Sequence, residues 1–269
     1  GGGYVPFSYD ITDAVKEGEN VITVSVDSTE RPDIPPYGYV VDYLTFGGIY
    51  RDVSLRYVEP VYIEKIFVRT PDVLTAPRVE VDVWVKNVGE QQASCVVNIG
   101  LEADDGYETQ RESVTVHRGE TTKVTLSLDP RGVRLWSLST PVLYKMIVHL
   151  SHGFDQSQFD QVDSRFGFRH AIFKDDGFYL NGEKIQLIGL NRHQTYPYIG
   201  AAAPARLQRK DADILKNELG INLVRTSHYP QSPHFIDRCD EVGLLVFEEI
   251  PGWQFIGDND WKALSLRDV

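Results

Sequence analysis

The sequence predicts a multi-domain protein in which two β-rich regions precede a region of alternating strands and helices. Runs of alternating apolar and polar residues, separated by turn residues, fill the first 163 positions. After about Arg165 the apolar period becomes helical, and two helical stretches each end at a glycine. These changes divide the chain into regions 1–59, 60–163 and 164–269.

Length and composition limit the classes of protein that the chain can belong to. Its 269 residues correspond to two domains or three small ones. With 42% hydrophobic and 25% charged residues, the chain has the composition of a folded globular protein. The net charge of −12 argues against nucleic acid or an anionic membrane as a partner. No apolar run approaches the roughly 18–20 residues that span a bilayer.

Region 1–59 is predicted to contain strands of a larger antiparallel domain. Residues 21–26 are β-branched and residues 53–57 alternate, whereas residues 31–37 contain three prolines and predict a loop. One strand pair is not stable by itself, so we expect the tail of a larger antiparallel domain. Because the chain opens on Gly1 rather than Met, we expect an internal piece of a longer protein.

The two cysteines, Cys95 and Cys239, are too few for a disulfide framework. Free cysteines are usually buried, so we expect two buried thiols. They leave the redox compartment open, and we take the cytoplasm as the expected location, with a periplasmic or secreted protein as the alternative.

Region 60–163 is predicted to be a β-sandwich. Residues 79–85 place four valines on one face, and similar runs follow at 95–101, 114–116, 122–128 and 144–150. The histidines of this region have no metal-ligand spacing, and we expect them at surface strand or turn positions. They are His117, His149 and His152. This region is therefore predicted to be a structural spacer.

Region 164–269 is predicted to contain parallel strands. An Asn181-Gly182 turn joins strands 178–180 and 184–190 in a hairpin. Helix, strand, helix and strand then follow in order, at residues 206–219, 221–225, 233–242 and 244–247. Short apolar strands that alternate with helices indicate βαβ units.

Polar and aromatic residues follow each of the three predicted parallel strands, at residues 191–194, 225–230 and 248–253. Such strand ends meet at one rim, where α/β proteins bind ligands. Imidazoles can hydrogen-bond hydroxyl groups, and Arg225 can hold a carboxylate in its charged form. Trp253 is either a stacking platform for a sugar ring or a core residue. We therefore predict a ligand site rather than a set of caps and turns.

Several motifs resemble glycoside hydrolase family 2, which includes β-galactosidases, β-glucuronidases and β-mannosidases. They are Gly2-Gly3-Tyr4-Val5-Pro6-Phe7, Asp10-Ile11-Thr12, Gly48-Ile49-Tyr50-Arg51-Asp52-Val53, Phe166-Gly167-Phe168-Arg169, Leu180-Asn181-Gly182, Gly189-Leu190-Asn191-Arg192-His193 and Arg225-Thr226-Ser227-His228-Tyr229-Pro230. The resemblance implies the tail of a jelly-roll sugar-binding domain at 1–59 and an immunoglobulin-like sandwich at 60–163. It also implies the first three βα units of a TIM barrel at 164–269.

The resemblance also implies roles for individual residues. Asp42 matches an aspartate that reaches the glycon hydroxyls, although a loop-solvating carboxylate is the alternative. His193 and His228 match sugar-contacting histidines, Arg225 matches an arginine beside the nucleophile, and Glu249 matches an acidic residue at the third strand. The predicted substrate-binding residues are Asp42, His193, Arg225, His228, Glu249 and Trp253.

Two departures from the family pattern concern chemistry. Trp253 and Phe255 stand where magnesium-type members have ligands, and Gln194 stands where they have Glu. We therefore predict no metal cofactor, although magnesium and sodium occur in the family. The acid/base Glu of the family follows Asn at the fourth strand, and its nucleophile follows the seventh. We expect both beyond Val269.

Glu248 and Glu249 are adjacent on a strand end, so they should point to opposite sides and make a poor catalytic pair. The chain alone is therefore predicted to be inactive. The leading interpretation is part of a retaining exo-β-glycosidase, with β-galactosidase favoured over β-glucuronidase and β-mannosidase. The alternatives are a non-catalytic carbohydrate-binding protein and a structural sandwich module. Whether the longer protein is a homo-oligomer stays open.

Overall fold

A computed structural model describes residues 3–37, 43–103, 106–155 and 157–268. The chain divides into two compact units, which we describe separately. Unit 1 consists of residues 1–53 and 188–269, and unit 2 of residues 54–187. The domain boundaries predicted after residues 59 and 163 stay predictions.

Unit 2 contains a sandwich of two antiparallel sheets, with strand orders β1-β2-β5 and β4-β3-β6-β7. Its strands are β1 Val61–Arg69, β2 Val79–Asn87, β3 Ala93–Ala103, β4 Gly106–Val116, β5 Thr121–Leu128, β6 Tyr144–His152 and β7 Gln158–Phe166. Alternate valines of β2 are fully buried and belong to one core with residues of the other sheet, such as Val97 and Leu150. The predicted sandwich is confirmed.

Strands β1 and β7 are additions to the predicted set, because neither alternates strictly. In β1 the pairing register with β2 shifts between Ile63 and Lys65. The shift moves the core-packed residues from odd positions, such as Ile63, to even positions, such as Ile66. In β7 the core-packed residues are Phe159, Val162 and Phe166, at spacings of three and four. A period-two search misses both patterns.

The histidines of the sandwich lie partly as predicted. His117 is exposed, whereas His149 and His152 are half-buried on β6. The ring of His152 packs 4.4 Å from that of Phe159, measured between centroids. Packing against Phe159 therefore accounts for the partial burial of His152.

A three-stranded sheet with the order β10-β9-β8 completes unit 2. Its strands are β8 Ala171–Lys174, β9 Gly177–Leu180 and β10 Glu183–Ile185. Asn181 and Gly182 connect β9 to β10 with φ angles of 53° and 87°, the positive values that this hairpin turn requires. The single strand predicted at 184–190 is wrong, because β10 pairs with β9 and ends at Ile185.

Unit 1 contains a parallel sheet of β11 Gly189–Asn191, β12 Leu223–Arg225 and β13 Leu245–Phe247, in that order. Its helices are α1 Ala205–Asp213, α2 Pro233–Val242 and α3 Asn259–Asp268. The predicted βαβ arrangement is confirmed. The predicted helix at 206–219 differs, because after α1 the chain forms a π-helix at Ile214–Glu218.

Gly189 explains the close approach of two strands in unit 1, and the sequence of α3 explains why that helix was not predicted. A Cβ atom on Gly189 would lie 2.4 Å from the carbonyl oxygen of Leu223, so β11 approaches β12 at a distance that only glycine allows. Helix α3 escapes prediction because its buried residues, Trp261 and Ser265, do not form an apolar stripe.

The strands predicted at 21–26 and 53–57 are wrong. Among the described residues of region 1–59, the one regular element is a 3₁₀ turn at Thr12–Ala14. Val24 and Val53 are 52% and 79% exposed. A strand needs a paired neighbour, and no described residue pairs with these segments, so they form no β-ladder. The jelly-roll assignment of this region rests on the sequence resemblance.

Both cysteines are free and buried, as predicted. Burial raises the pKa of the Cys95 and Cys239 thiols, which disfavours the reactive thiolate. Within the described part of the chain, no helix has the length and apolar character that crossing a bilayer requires.

Candidate functional site

The rings predicted to bind a ligand lie together at the carboxyl ends of the parallel strands. His193 follows β11, His228 follows β12, and Trp253 follows β13. The centroid of His228 lies 5.7 Å from that of His193 and 5.8 Å from that of Trp253. Three segments that are distant in sequence thus form one aromatic surface.

Two charged side chains, Arg225 and Glu249, contact the Nδ1 side of the His228 ring. Arg225 Nε donates to Glu249 Oε1 at 2.5 Å, and His228 Nδ1 lies 2.9 Å from Glu249 Oε2. Arg225 Nη2 also lies 3.2 Å from the same ring nitrogen, so the guanidinium and the carboxylate together fix the orientation of the His228 ring. Arg225, His228 and Glu249, which the sequence places individually at this rim, therefore form one hydrogen-bonded triad.

The adjacent carboxylate has different partners. Glu248 Oε1 accepts from the backbone N–H of Gln231 at 3.1 Å, whereas Glu249 binds Arg225 and His228. Burial raises the pKa of the Glu248 carboxyl group. Glu248 and Glu249 thus take part in separate hydrogen-bond groups, as expected for successive residues at a strand end.

Tyr43 belongs to the site, and sequence reasoning missed it. Its hydroxyl donates to the carbonyl oxygen of Gly252 at 3.2 Å. Its ring centroid lies 6.0 Å from His193 and 5.9 Å from His228. Its position next to Asp42 was the available indication. Asp42 itself lies outside the described residues, and its role stays a prediction.

Residues of the N-terminal motifs hold the segment that follows β12. The ring of Tyr4 stacks on Tyr229 at 4.7 Å with an interplanar angle of 14°. Arg51 donates to the carbonyl oxygens of Tyr4, at 2.9 Å, and of Pro230. Burial raises the pKa of the Tyr4 and Tyr229 hydroxyls, so both remain neutral. The motif segments therefore stabilise the backbone beside His228.

Residues 192 and 194 lie behind the rim, on the opposite side from His193. Arg192 is 6% exposed and Gln194 is 2% exposed, whereas His193 between them is exposed. Gln194 Oε1 accepts from the backbone N–H of Ser232, the N-cap residue of α2, at 2.9 Å. Gln194, which stands where the resemblance expects Glu, thus has a structural role in joining two loops.

The positions that would hold a metal in magnesium-type members are aromatic. Phe255 packs edge-on against Trp261 and Tyr37, with centroids 6.2 and 4.9 Å apart. Among the residues that the structure describes, there is no group of three or more His, Cys, Asp or Glu side chains that could bind a metal ion. These aromatic side chains do not fit a metal ion, and the expectation of a metal-free site stays a prediction.

Comparisons with known proteins agree with the geometry. A model of the glycosyl hydrolases family 2 matches residues 61–169, and a model of the family's TIM barrel domain matches residues 172–263. The chain is 46% identical to a β-galactosidase of Thermoanaerobacterium thermosulfurigenes and 44% identical to one of Thermoanaerobacter pseudethanolicus. Both alignments include the whole chain but only 38% and 36% of the relatives.

A solved structure gives the same result. The β-glucuronidase of Bacteroides uniformis aligns with 90% of this chain and 30% of its own, with a TM-score of 0.81 and 31% identity. The chain therefore spans well under half the length of the proteins that it matches. An immunoglobulin-like sandwich, the start of a TIM barrel and two family models in the expected order lead to one conclusion: the chain belongs to glycosyl hydrolase family 2.

Proposed function

We propose that the chain forms part of a β-galactosidase, which hydrolyses the glycosidic bond of β-linked galactosyl groups at non-reducing ends with retention of configuration. The observation that supports a sugar site is the triad of Arg225, His228 and Glu249 beside the Trp253 ring. The identities of 46% and 44% to proteins named β-galactosidase favour galactose as the glycon.

The geometry suits a sugar ring in two ways. The Trp253 ring offers an apolar face to the C–H groups of a sugar, and the imidazoles of His193 and His228 bind hydroxyl groups at its edge. Glu249 and Arg225 both contact Nδ1 of His228 and thereby hold its ring in one orientation. In this proposal Arg225 keeps Glu249 in place rather than contacting the scissile bond.

The reacting carboxyl pair is assigned to other parts of the longer protein. Retaining hydrolysis uses two carboxyl groups about 5–5.5 Å apart that flank the bond. Glu248 and Glu249 instead bind Gln231 and the Arg225–His228 pair. The 269-residue chain is therefore expected to bind sugar weakly and to show no measurable turnover with an aryl β-galactoside.

The test uses a protein extended along its reading frame to the length of the relatives. We expect measurable kcat/KM with 4-nitrophenyl β-D-galactoside, and a loss of about 10- to 100-fold in His228→Ala, the effect of removing a strong hydrogen bond. His117→Ala, an exposed histidine in unit 2, is the control and should be unchanged. Robust hydrolysis by the 269-residue chain alone would contradict the assignment of the carboxyl pair.

β-Glucuronides are the second candidate substrates. The structures of β-glucuronidases from Bacteroides uniformis and Parabacteroides merdae match with TM-scores of 0.81 and 0.78. A higher kcat/KM with the 4-nitrophenyl β-D-glucuronide or β-D-mannoside would replace galactose as the glycon. Binding of galactose without hydrolysis of any glycoside would favour the carbohydrate-binding alternative, and no binding would favour a structural module. The two free, buried thiols are compatible with the proposed cytoplasmic location.

A further inference from the structure

We propose that Arg192 is a positioning residue for the sugar site, which ties the loop after β11 to the loop after β12 and thereby fixes His193 relative to His228. We call residues 192–204 the β11 loop and residues 226–232 the β12 loop. The inference rests on the proposed function for its meaning, because the two histidines matter only if a sugar binds between them.

The Arg192 guanidinium group binds three side chains, two on helix α1 and one in the β11 loop. Nε and Nη2 of Arg192 donate to Asp211 Oδ2 on α1, at 3.0 and 2.8 Å. Nη2 also lies 2.7 Å from Gln208 Oε1 and 2.8 Å from the hydroxyl of Tyr196. Tyr196 donates in turn to Asp211 at 2.5 Å. The β11 loop is thus attached to α1 at both Arg192 and Tyr196.

A second set of contacts joins the β11 loop to the β12 loop. Arg192 Nη1 donates to Gln231 Oε1, and Gln231 Nε2 donates back to the carbonyl oxygen of Arg192 at 3.0 Å. The backbone N–H of Gln194 donates to the Tyr229 hydroxyl at 3.2 Å. His193 lies between two residues bonded to the β12 loop, and Tyr229 directly follows His228.

The environment of the cation makes this arrangement rigid. Arg192 is 6% exposed, and its guanidinium carbon lies 3.9 Å from the centroid of the Phe235 ring. Burial and the hydrogen bond to Asp211 raise the pKa of Tyr196 to about 12, so its hydroxyl keeps its proton at neutral pH. A planar fork with five donors can bind these four partners at once, whereas a lysine ammonium group cannot.

The test compares two arginines of unit 1 in the extended protein. Nε and Nη2 of Arg238 both contact Asp213 Oδ1, at 2.8 and 2.7 Å, and Nη1 lies 2.9 Å from Glu241, so these contacts join α1 to α2 rather than one loop to the other. We expect Arg192→Lys to lower kcat/KM about 100-fold, mainly through kcat, because a displacement of about 1 Å has that effect on an aligned site. Arg238→Lys should lower Tm by a similar amount and leave kcat/KM within about twofold of the wild type.

A second variant covers the case in which Arg192→Lys does not fold. Gln231→Met keeps the size of the side chain but removes the reciprocal hydrogen bonds between the two loops. We expect about a 10-fold loss of kcat/KM, again mainly through kcat. An equal loss in Arg238→Lys, or unchanged kcat in both loop variants, would overturn the proposal.

Crystal structures of the same proteins separate this proposal from the proposed function. The His193–His228 centroid distance, 5.7 Å here, should change by about 1 Å in a folded loop variant and remain constant in Arg238→Lys. A constant distance in all variants refutes the positioning role. If the wild type hydrolyses no glycoside and the distance changes in the loop variants alone, the proposed function fails while the positioning role stands.

Discussion

Unit 2 and the N-terminal part of unit 1 contain similar β-branched sequences, but these form buried strands only in unit 2. In unit 2, Val83 is completely buried between two sheets that the described chain itself supplies. In unit 1, Val24 lies in an equally apolar run but is 52% exposed and has no described strand beside it. The comparison teaches that an alternating pattern specifies a face, whereas a strand forms only where a neighbour supplies its hydrogen bonds.

The largest expected effect is that of placing a charged side chain at Val83 in unit 2, compared with the same change at Val24 in unit 1. Val83→Asp should cost unit 2 roughly 4 kcal/mol or more, because an unpaired carboxylate would replace a core methyl pair. Val24→Asp should change the free energy of unfolding by no more than about 0.5 kcal/mol. Urea unfolding followed by circular dichroism measures both. Similar losses in the two variants would show that Val24 is also in a packed core.

A smaller effect is expected from the ordered part of unit 1. Gly189→Ala would place a methyl group against the Leu223 carbonyl oxygen, so we expect a cost of about 1–3 kcal/mol from the forced separation of β11 and β12. Hydrogen exchange should quicken at the amides of β12, such as Val224, which pairs with Leu190. Gly252→Ala, where a Cβ would have no neighbour within 4 Å and φ is not positive, is the control, and its exchange at β12 should stay unchanged. Protection of β12 in Gly189→Ala equal to that of the wild type would contradict this account.

The smallest effect concerns a charged group on the sandwich. A hydrogen bond from Arg69, with further ones from Thr125 and Lys123, holds the pKa of the Asp82 carboxyl group well below its usual range. A lowered folded-state pKa stabilises the fold above the unfolded pKa of about 3.9, and this contribution is lost as the pH falls toward the folded value. Because both cations are partly exposed, we expect a contribution of roughly 1–2 kcal/mol at pH 7.

The measurement is the pH dependence of unfolding for Asp82→Asn beside the wild type. The variant should be less stable at pH 7, and the difference should shrink below about pH 4. Asp129→Asn, an exposed partner of Arg78, is the control and should show little difference at either pH. A difference between Asp82→Asn and the wild type that does not vary with pH would remove the carboxylate from the explanation.

The elements that could be predicted from the sequence are those in which a single local pattern, such as a period of two or a terminal glycine, holds from end to end. The alternate valines of β2 and the glycine at the end of α2, where Gly243 has a φ of 75°, correspond to simple patterns. Strand β1 escaped because the shift after Ile63 changes the buried face midway. Residues 184–190 form one apolar run in the sequence, but β10 and β11 use its two ends in different sheets.

The residues of the candidate site also divide into those that a local pattern predicts and those that it does not. His193, His228, Glu249 and Trp253 were predictable because strand ends of a parallel sheet share a rim. Tyr43 and the contacts of Arg51 were not, because they depend on tertiary pairing between segments about 150 to 200 residues apart. Such contacts leave no period in the sequence.

The alternation of Arg192, His193 and Gln194 restricts how this loop can change in length. Because successive residues face opposite sides, an insertion or deletion of one residue before Gln194 would send the histidine into the buried network and a network residue to the rim. Substitutions at positions 192–194 should therefore keep the order of a buried, an exposed and a buried side chain. A change in loop length should be tolerated after Tyr196, where Tyr198 is fully exposed.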